Sequence, residues 1–229
     1  MLTNYRDPGS FASRLRRKRI APLLDMIRDC HARRGGVSIV DVGGSRTYWN
    51  SIGRDFLERH SVSIAVVNND GGFIEAGDAV FSFHLGDGCD LGQFTDGQFD
   101  IAHSNSVIEH VGGWSRMAAF ARELCRVGKA CFVQTPNFWF PVEPHFAMPF
   151  VHWLPRPVMV HLTARYNIGN VPRAANLGEA YACIDGIRLL DRTMMTALFP
   201  DCDIVPERFL GFTKSFIAVR TASPEGSAT

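Results

Sequence analysis

The fold is decided by residues 37–49, which read VSIVDVGGSRTYW. The apolar run at 37–40 predicts a buried strand of a parallel sheet, and Asp41 follows at its end. Gly43 and Gly44 allow a tight turn and a close approach of the backbone to a ligand. A helix beginning after this turn would direct its free N–H groups into the same space. The stretch therefore predicts a nucleotide-sized pocket, although two glycines after a strand more often form only a tight turn.

Further apolar, β-rich runs follow, with helical or loop segments between them. The first strand is expected at 37–42, further strands at 62–67, 79–85, 99–103 and 130–135, and two last strands at 203–210 and 214–220. Helices are predicted at 10–32, 48–60 and 115–126, and Pro22 should divide or kink the first of them. Strands that alternate with helices predict an α/β fold with a parallel sheet. Because the last two strands are joined by a short link, they are expected to form an antiparallel pair at the sheet edge.

The chain is expected to contain three regions. Residues 1–36 would form a helical, basic N-terminal segment, residues 37–220 the main domain, and residues 221–229 a disordered polar tail. Between 138 and 176 the alternation of strands and helices stops, and six prolines and seven aromatic residues accumulate. This stretch is predicted to be an insertion, either a lid over the pocket or the surface of a homodimer.

Charge narrows the class of partner. The 229 residues have a net charge of +1, but residues 1–34 hold nine Lys/Arg and three Asp/Glu. Because the remainder of the chain is net acidic, the basic footprint of a nucleic-acid-binding protein is absent. A local basic patch could meet a phosphate-bearing substrate or a membrane surface, although a solvated helix face is the simpler interpretation. Its members are Arg14, Arg16, Arg17, Lys18 and Arg19.

The six cysteines show neither a CxxC motif nor a zinc-finger spacing, and several lie in apolar runs. They predict buried, reduced thiols in a cytoplasmic protein. The N-terminus lacks a signal-peptide pattern, and no apolar run is long enough to span a bilayer, which leaves peripheral membrane contact open. No metal site is predicted, because no two His or Cys residues have metal-binding spacing beside a third ligand.

Four of the predicted strands end in polar residues, and open α/β sheets bind ligands at the carboxyl ends of their strands. An Asn amide at the second end could bond ribose hydroxyls, and a carboxylate at the third could accept from an adenine amine. Each end alone is typical of a turn, but four in succession predict one ligand site. The four ends are Asp41 with Gly43 and Gly44, Asn68-Asn69-Asp70, Gly86-Asp87-Gly88, and His103-Ser104-Asn105-Ser106.

In these motifs the chain resembles the class I S-adenosylmethionine-dependent methyltransferases, of the small Rossmann-like, methyltransferase type 11-like kind. The resemblance covers roughly residues 37–137 and 188–220. It implies an α/β, Rossmann-like, seven-stranded and mostly parallel sheet with an antiparallel last strand and helices on both faces. The motifs are VDVGGS (40–45), VVNND (66–70), LGDGCDL (85–91), QFDIAHSNSVIEHV (98–111), RELCRVGKACFVQTPN (122–137) and GFTKSFIAV (211–219).

The resemblance also implies which residues hold the cofactor S-adenosylmethionine. The family usually has an acidic residue where Asn68 stands, and an amide bonds a hydroxyl more weakly than a carboxylate. A catalytically degenerate protein that binds the cofactor or acts as a scaffold is therefore the alternative function. The expected contacts are Asp41, Gly43, Gly44 and Ser45 to the methionine part, Asn68 and Asn69 to ribose, Asp87 and Gly88 to adenine, and Ser104 and Asn105 under the methyl donor.

The implied reaction is methyl transfer to a small-molecule, glycan or lipid-linked acceptor by in-line displacement. Since the cofactor brings an activated methyl group, the protein must mainly align the acceptor and exclude water. An oxygen or nitrogen acceptor can also require a base. Glu109, His110 and His145 are the candidate catalytic residues. The alternative for His110 is packing or hydrogen bonding within the fold, and the alternative for His145 is packing or solvent exposure.

Overall fold

A computed structural model describes residues 11–143 and 145–222, with side chains from residue 19 onward. The predictions for residues 1–10, for the side chains of residues 14–18 and for the tail at 223–229 lie outside this description. The strands are β1 (Val37–Val42), β2 (Val62–Asn68), β3 (Phe81–Leu85), β4 (Phe99–Asn105), β5 (Gly128–Pro136), β6 (Asp203–Phe209) and β7 (Phe212–Arg220). The helices are α1 (Phe11–Arg34), α2 (Arg46–Asn50), α3 (Arg54–Arg59), α4 (Trp114–Val127), α5 (Arg156–Arg165), α6 (Leu177–Asp185) and α7 (Arg192–Leu198).

The seven strands form a single sheet in the order β3-β2-β1-β4-β5-β7-β6. Strands β1 to β5 pair in parallel, whereas β7 runs antiparallel to both β5 and β6. The register places Asp41 of β1 between Val66 of β2 and His103 of β4. The predicted seven-stranded, mostly parallel α/β sheet with an antiparallel last strand is confirmed.

Helices cover both faces of the sheet, as predicted. Because side chains alternate along a strand, Val40 and Val42 of β1 pack on one face, while Val37 and Ile39 pack on the other. Helices α4 and α7 complete the first core through residues such as Phe120 and Met195, both of which are fully buried. Helices α1, α2 and α3 complete the second core.

The structure corrects two predictions about helices. The segment 48–60 does not form one helix, because the chain turns at Gly53 (φ 110°) and divides it into α2 and α3. Of the two outcomes predicted for Pro22, division of the N-terminal helix is wrong, since α1 continues through the proline, and a kink stays a prediction. Leu23 and Ile27 of α1 are fully buried against the sheet, and this packing outweighs the hydrogen bond lost at the proline. Within the described ranges, none of the helices is both long and apolar enough for a membrane span.

The proline- and aromatic-rich stretch has a small hydrophobic core of its own. This core runs from residue 146 to residue 184, so the compact unit extends past residue 176 into α6. Asn176 caps α6 by accepting a hydrogen bond from Glu179 N at 2.9 Å. The buried members of the core are Phe146, Val151, Met159, Val160, Ile168, Val171, Ala180 and Ile184.

Candidate active site

The carboxyl ends of β1, β2, β3 and β4 meet at one edge of the sheet and are joined by hydrogen bonds. Gly43 N donates to Val67 O at 2.8 Å, and the Asn68 side-chain amide donates to Gly44 O at 3.1 Å. The loop after β3 joins through Gly86 N, which donates to Asn68 O at 2.9 Å. The Ser104 hydroxyl donates to the carbonyl of Val42 at 3.0 Å. The structure therefore brings all four predicted strand ends together.

The glycine turn after β1 has no room for side chains. Gly43 adopts φ 73°, and a Cβ atom there would lie 2.5 Å from a methyl carbon of Val107. A Cβ atom at Gly44 would lie 1.6 Å from Oδ2 of Asp41. Ser45 follows as the N-cap of the five-residue helix α2 and accepts from Tyr48 N at 3.4 Å. Glycine is thus required at both positions for steric reasons.

Both carboxylate oxygens of Asp41 already have partners inside the protein. Oδ2 accepts from Trp49 Nε1 at 2.6 Å, and Oδ1 lies 2.7 Å from His103 Nδ1. All three side chains are buried, and the Tyr48 hydroxyl lies 3.2 Å from the other nitrogen of His103. The sequence pattern placed His103 at a strand end and indicated no role for Trp49 or Tyr48. Neither spacing nor periodicity reveals the pair of Asp41 and His103, which lie 62 residues apart.

A cavity of about 480 Å³ opens at the ends of β1, β4 and β5. Asp41, Gly43, Gly44, Ser45 and Asn105 line it, as do Tyr48 and His103. Arg19 of α1 and Glu143, Glu207 and Lys214 from distant parts of the chain complete the wall.

Several polar atoms in the described part of the cavity wall lack a hydrogen bond. In the part of the chain that the structure describes, Asn105 Oδ1, Arg19 Nε and Glu207 Oε1 are buried without a hydrogen bond. Arg19 Nε does lie 3.3 Å from Glu207 Oε2, an ion pair without hydrogen-bond alignment. Burial lowers the pKa of Lys214 on the same wall. Unpaired buried polar atoms are costly, so this wall is suited to a polar ligand.

The other predicted cofactor residues lie outside this cavity. Asp87 accepts from Arg116 at 2.8 Å and from Cys89 N at 2.9 Å, and the hydrogen bond from Arg116 lowers its pKa. Asn69 is exposed, whereas Ser104 is fully buried. A Cβ atom at Gly88 would meet both Phe120 and Val42 at 2.7 Å, so the core restricts this position. Asp87 and Asn69 are thus accessible from solvent, and Ser104 is not.

The three predicted catalytic residues form one cluster with Glu143. Burial raises the pKa of Glu109 to about 7; its Oε2 accepts from Thr135 at 2.9 Å, and its Oε1 has no partner among the described residues. The His145 ring bonds Glu143 through Nδ1, which raises the pKa of His145, and packs edge-on against the His110 ring at 4.8 Å. His110 Nδ1 donates to a backbone carbonyl at 3.0 Å, and burial lowers its pKa. Only Glu143 of this cluster lines the cavity.

A metal-binding cluster is not evident among the residues that the structure describes. Among the described residues, no group of three or more His, Cys, Asp or Glu side chains is placed to hold a metal ion. The absence of a metal site stays a prediction.

Comparison with known proteins gives a family match over part of the chain. Residues 56–130 match the methyltransferase domain family, type 11. No curated protein matches the chain in sequence. Among solved structures, the methyltransferase domain of bacterial CtHen1 is similar, with 11% identity, a TM-score of 0.52, and coverage of 90% of this chain and 99% of that one.

A second similar structure is a SAM-dependent methyltransferase from Methanosarcina mazei, with 13% identity and a TM-score of 0.50. It covers 82% of this chain and 94% of that one. At such low identities the two structures support the fold alone, and the family match supports the activity. The family match therefore assigns residues 56–130 to the type 11 methyltransferase domain, and the observed sheet order is that of the class I, Rossmann-like methyltransferase fold.

Proposed function

We propose that this domain transfers the methyl group of S-adenosylmethionine to a small-molecule, glycan or lipid-linked acceptor by in-line displacement in the cavity. The observation that carries the proposal is the meeting of the glycine turn with buried atoms of Asn105, Arg19 and Glu207 that lack a hydrogen bond, in one cavity. Its volume of about 480 Å³ lies in the range typical of small-ligand sites. A polar ligand would give these atoms the hydrogen bonds that the described part of the protein does not supply.

Residues at the ends of β1, β2 and β3 would contact successive parts of S-adenosylmethionine. The turn at Gly43 and Gly44 would hold the methionine part, Asn68 on β2 the ribose, and Asp87 after β3 the adenine. The fit is supported by the hydrogen bond from Asn68 to Gly44 O, which places an amide beside the turn. When bound, the cofactor supplies an already activated methyl group, so the chain must bind, orient and desolvate the acceptor.

The cluster of Glu109, His110, Glu143 and His145 would contribute mainly by fixing the insertion over the cavity. Its members join the 3-10 turn after β4 to the insertion through the rings of His110 and His145. Arg188 N donates to Glu109 O at 2.8 Å and ties the far end of the insertion to the same turn. The catalytic role of Glu109, His110 and His145 stays a prediction.

An exposed aromatic surface beside the cavity favours an acceptor with an apolar part, such as a lipid-linked compound. Trp139 is 61% exposed and Phe150 is 53% exposed, and both contact the Trp153 ring, at 6.2 and 5.1 Å between ring centroids. Phe140 and Val142, from the same segment, line the cavity. Exposed aromatic rings are enriched where proteins meet the membrane–water interface. We include peripheral membrane contact and a homodimer through this surface in the proposal.

The free thiols favour a reducing location. All six cysteines are unpaired, although Cys125 Sγ and Cys131 Sγ lie only 4.0 Å apart. Because neighbouring thiols tend to oxidise outside reducing compartments, we propose a cytoplasmic site of action.

Two measurements test the proposed function. Calorimetric titration with S-adenosylmethionine and with its demethylated product should show saturable binding of both. A cell extract incubated with isotopically labelled methyl donor should then acquire label in the lipid phase, in the low-mass aqueous fraction or in the polysaccharide fraction. The labelled fraction identifies the class of acceptor. Binding without transfer to any fraction would instead support the scaffold function, and absence of binding would overturn the proposal.

A further inference from the structure

His103 lies between a buried carboxylate and a phenol at the wall of the cavity. Its Nδ1 is 2.7 Å from Asp41 Oδ1, and its Nε2 is 3.2 Å from the hydroxyl of Tyr48. A carboxylate can only accept, so Nδ1 carries the proton of the neutral ring. Nε2 then has a free electron pair and accepts the hydroxyl proton of Tyr48. The geometry thus selects one tautomer of His103, with its basic nitrogen turned towards Tyr48.

Neighbouring rings hold this arrangement in place. The Phe132 ring stacks on His103 at 5.6 Å with an interplanar angle of 13°, and the Trp49 ring packs edge-on at 5.0 Å. Trp49 also holds the second oxygen of Asp41 at 2.6 Å. The side chains of His103 and Asp41 are each at most 1% exposed. Neither group can therefore turn towards water without disrupting the core. The pair is therefore organised before any ligand arrives.

The arrangement of Tyr48, His103 and Asp41 lies at the wall of the cavity. Tyr48 and His103 both line it, together with Asn105 at the end of β4. By contrast, Glu109, His110 and His145 do not line it. A hydroxyl group of an acceptor in this cavity can therefore approach Tyr48, but not these three residues.

We propose that Tyr48, His103 and Asp41 form a proton relay for a hydroxyl-bearing acceptor, an inference that rests on the proposed methyl transfer. The acceptor oxygen forms a bond to the methyl carbon, while the bond from that carbon to the donor sulfur breaks and leaves its electron pair on sulfur. The acceptor proton passes to the Tyr48 oxygen as the Tyr48 proton passes to His103 Nε2. The resulting imidazolium keeps its hydrogen bond to Asp41, whose charge stabilises it.

The protonation state of His103 is the first test, and it needs no acceptor. In protein labelled with nitrogen-15 at histidine, NMR at neutral pH should show a protonated Nδ1 and an unprotonated Nε2 for His103. The signals are assigned by their loss in His103→Gln. In Asp41→Asn the side-chain amide would donate to Nδ1, so the proton should move to Nε2. A wild-type His103 that carries a proton on Nε2 at neutral pH would overturn the relay.

The second test separates proton transfer from cofactor binding. Tyr48→Phe removes only a hydroxyl group, so the variant should fold. With the extract fraction that accepts labelled methyl groups as substrate, its kcat should be lower by about 100-fold or more. Its affinity for the demethylated cofactor should stay within about threefold of the wild-type value. The matched control is Tyr166→Phe, at an exposed tyrosine outside the cavity, and it should behave like the wild type.

The outcomes distinguish the two proposals. If Tyr48→Phe loses cofactor affinity as strongly as kcat, Tyr48 binds the cofactor and the relay is wrong. If the variant keeps its full kcat, the relay is also wrong. A wild type that binds the cofactor but transfers no methyl group would overturn the proposed function, and the NMR measurement would still decide whether His103 is set up to accept a proton.

Discussion

A Cβ atom at Gly44 would lie 1.6 Å from Oδ2 of Asp41, so the glycine turn rests directly on a buried carboxylate. The carboxylate cannot yield, because Trp49 and His103 hold its two oxygens at 2.6 and 2.7 Å. The turn, the carboxylate and the histidine are therefore one steric unit. A substitution at the turn must therefore displace residues of the cavity wall, on which both proposals depend.

Gly44→Ala should reduce affinity for the demethylated cofactor at least tenfold, because the new methyl group displaces Asp41 or the turn. It should also destabilise the protein by about 1–3 kcal/mol, the usual cost of overpacking. Calorimetric titration and urea unfolding measure the two effects. Gly113→Ala is the control, since a Cβ atom there meets nothing within 4 Å and its φ is −74°. Unchanged affinity in Gly44→Ala would remove the turn from the cofactor site.

Asp87→Ala should weaken cofactor binding by roughly 1–3 kcal/mol if its carboxylate bonds the adenine amine. In the structure the carboxylate is bound by Arg116 at 2.8 Å, and the adenine must share it or displace that guanidinium. Arg116→Gln should therefore leave affinity unchanged or raise it. Titration of both variants decides the assignment. If Arg116→Gln weakens binding as much as Asp87→Ala does, cofactor binding depends on the ion pair of Asp87 with Arg116 and not on a free Asp87 carboxylate.

Gly88→Ala should destabilise the fold by about 1–3 kcal/mol, because its methyl group would press on Phe120 and Val42 at 2.7 Å. Urea unfolding without ligand measures this effect. The control is Gly71→Ala, where a Cβ atom meets nothing within 4 Å. A variant of full stability that nonetheless fails to bind cofactor would contradict this packing role and favour direct contact between Gly88 and adenine.

The sheet was predictable because its signal is local. The first strand was expected at 37–42 and found at Val37–Val42, and the last two strands were expected as an antiparallel pair and found as one. Apolar runs bounded by turn residues determine such elements over a few positions. The prediction of one helix at 48–60 was wrong because it also relied on a local pattern. Its apolar spacing is helical, but the positive φ at Gly53 turns the chain where the pattern alone shows no break.

The candidate site was predictable only in outline. Parallel strands bring their carboxyl ends together, so the meeting of Gly43, Asn68 and Ser104 followed from the strand order. What the side chains do at that edge was not predictable, because it depends on contacts between distant positions. Asp41 bonds His103 across 62 residues, and the cavity wall joins Arg19 of the first helix to Glu207 of the sixth strand.

Glu109→Gln should make the protein more resistant to urea at about pH 8 but change little at about pH 5. Burial raises the pKa of Glu109 from 4.5 to about 7, so the folded state holds the proton more tightly than the unfolded state does. The contribution of this group to stability is therefore complete below about pH 4.5 and declines as the pH rises towards about 7. At higher pH the folded protein carries a buried carboxylate, at a cost of about 3 kcal/mol that neutral glutamine avoids.

Glu123→Gln provides a control with the opposite sign. Arg126 bonds the Glu123 carboxylate at 2.7 Å and lowers its pKa, so this group stabilises the fold above its unfolded pKa and loses that effect as the pH falls through its folded pKa. Glu123→Gln should therefore weaken the protein at about pH 8 and matter less in acid. The neighbouring histidines act in opposite directions, since the pKa of His145 is raised and that of His110 is lowered. If the stability gain of Glu109→Gln were the same at both pH values, Glu109 would titrate outside this range, and the buried cluster would not be the source of the pH dependence.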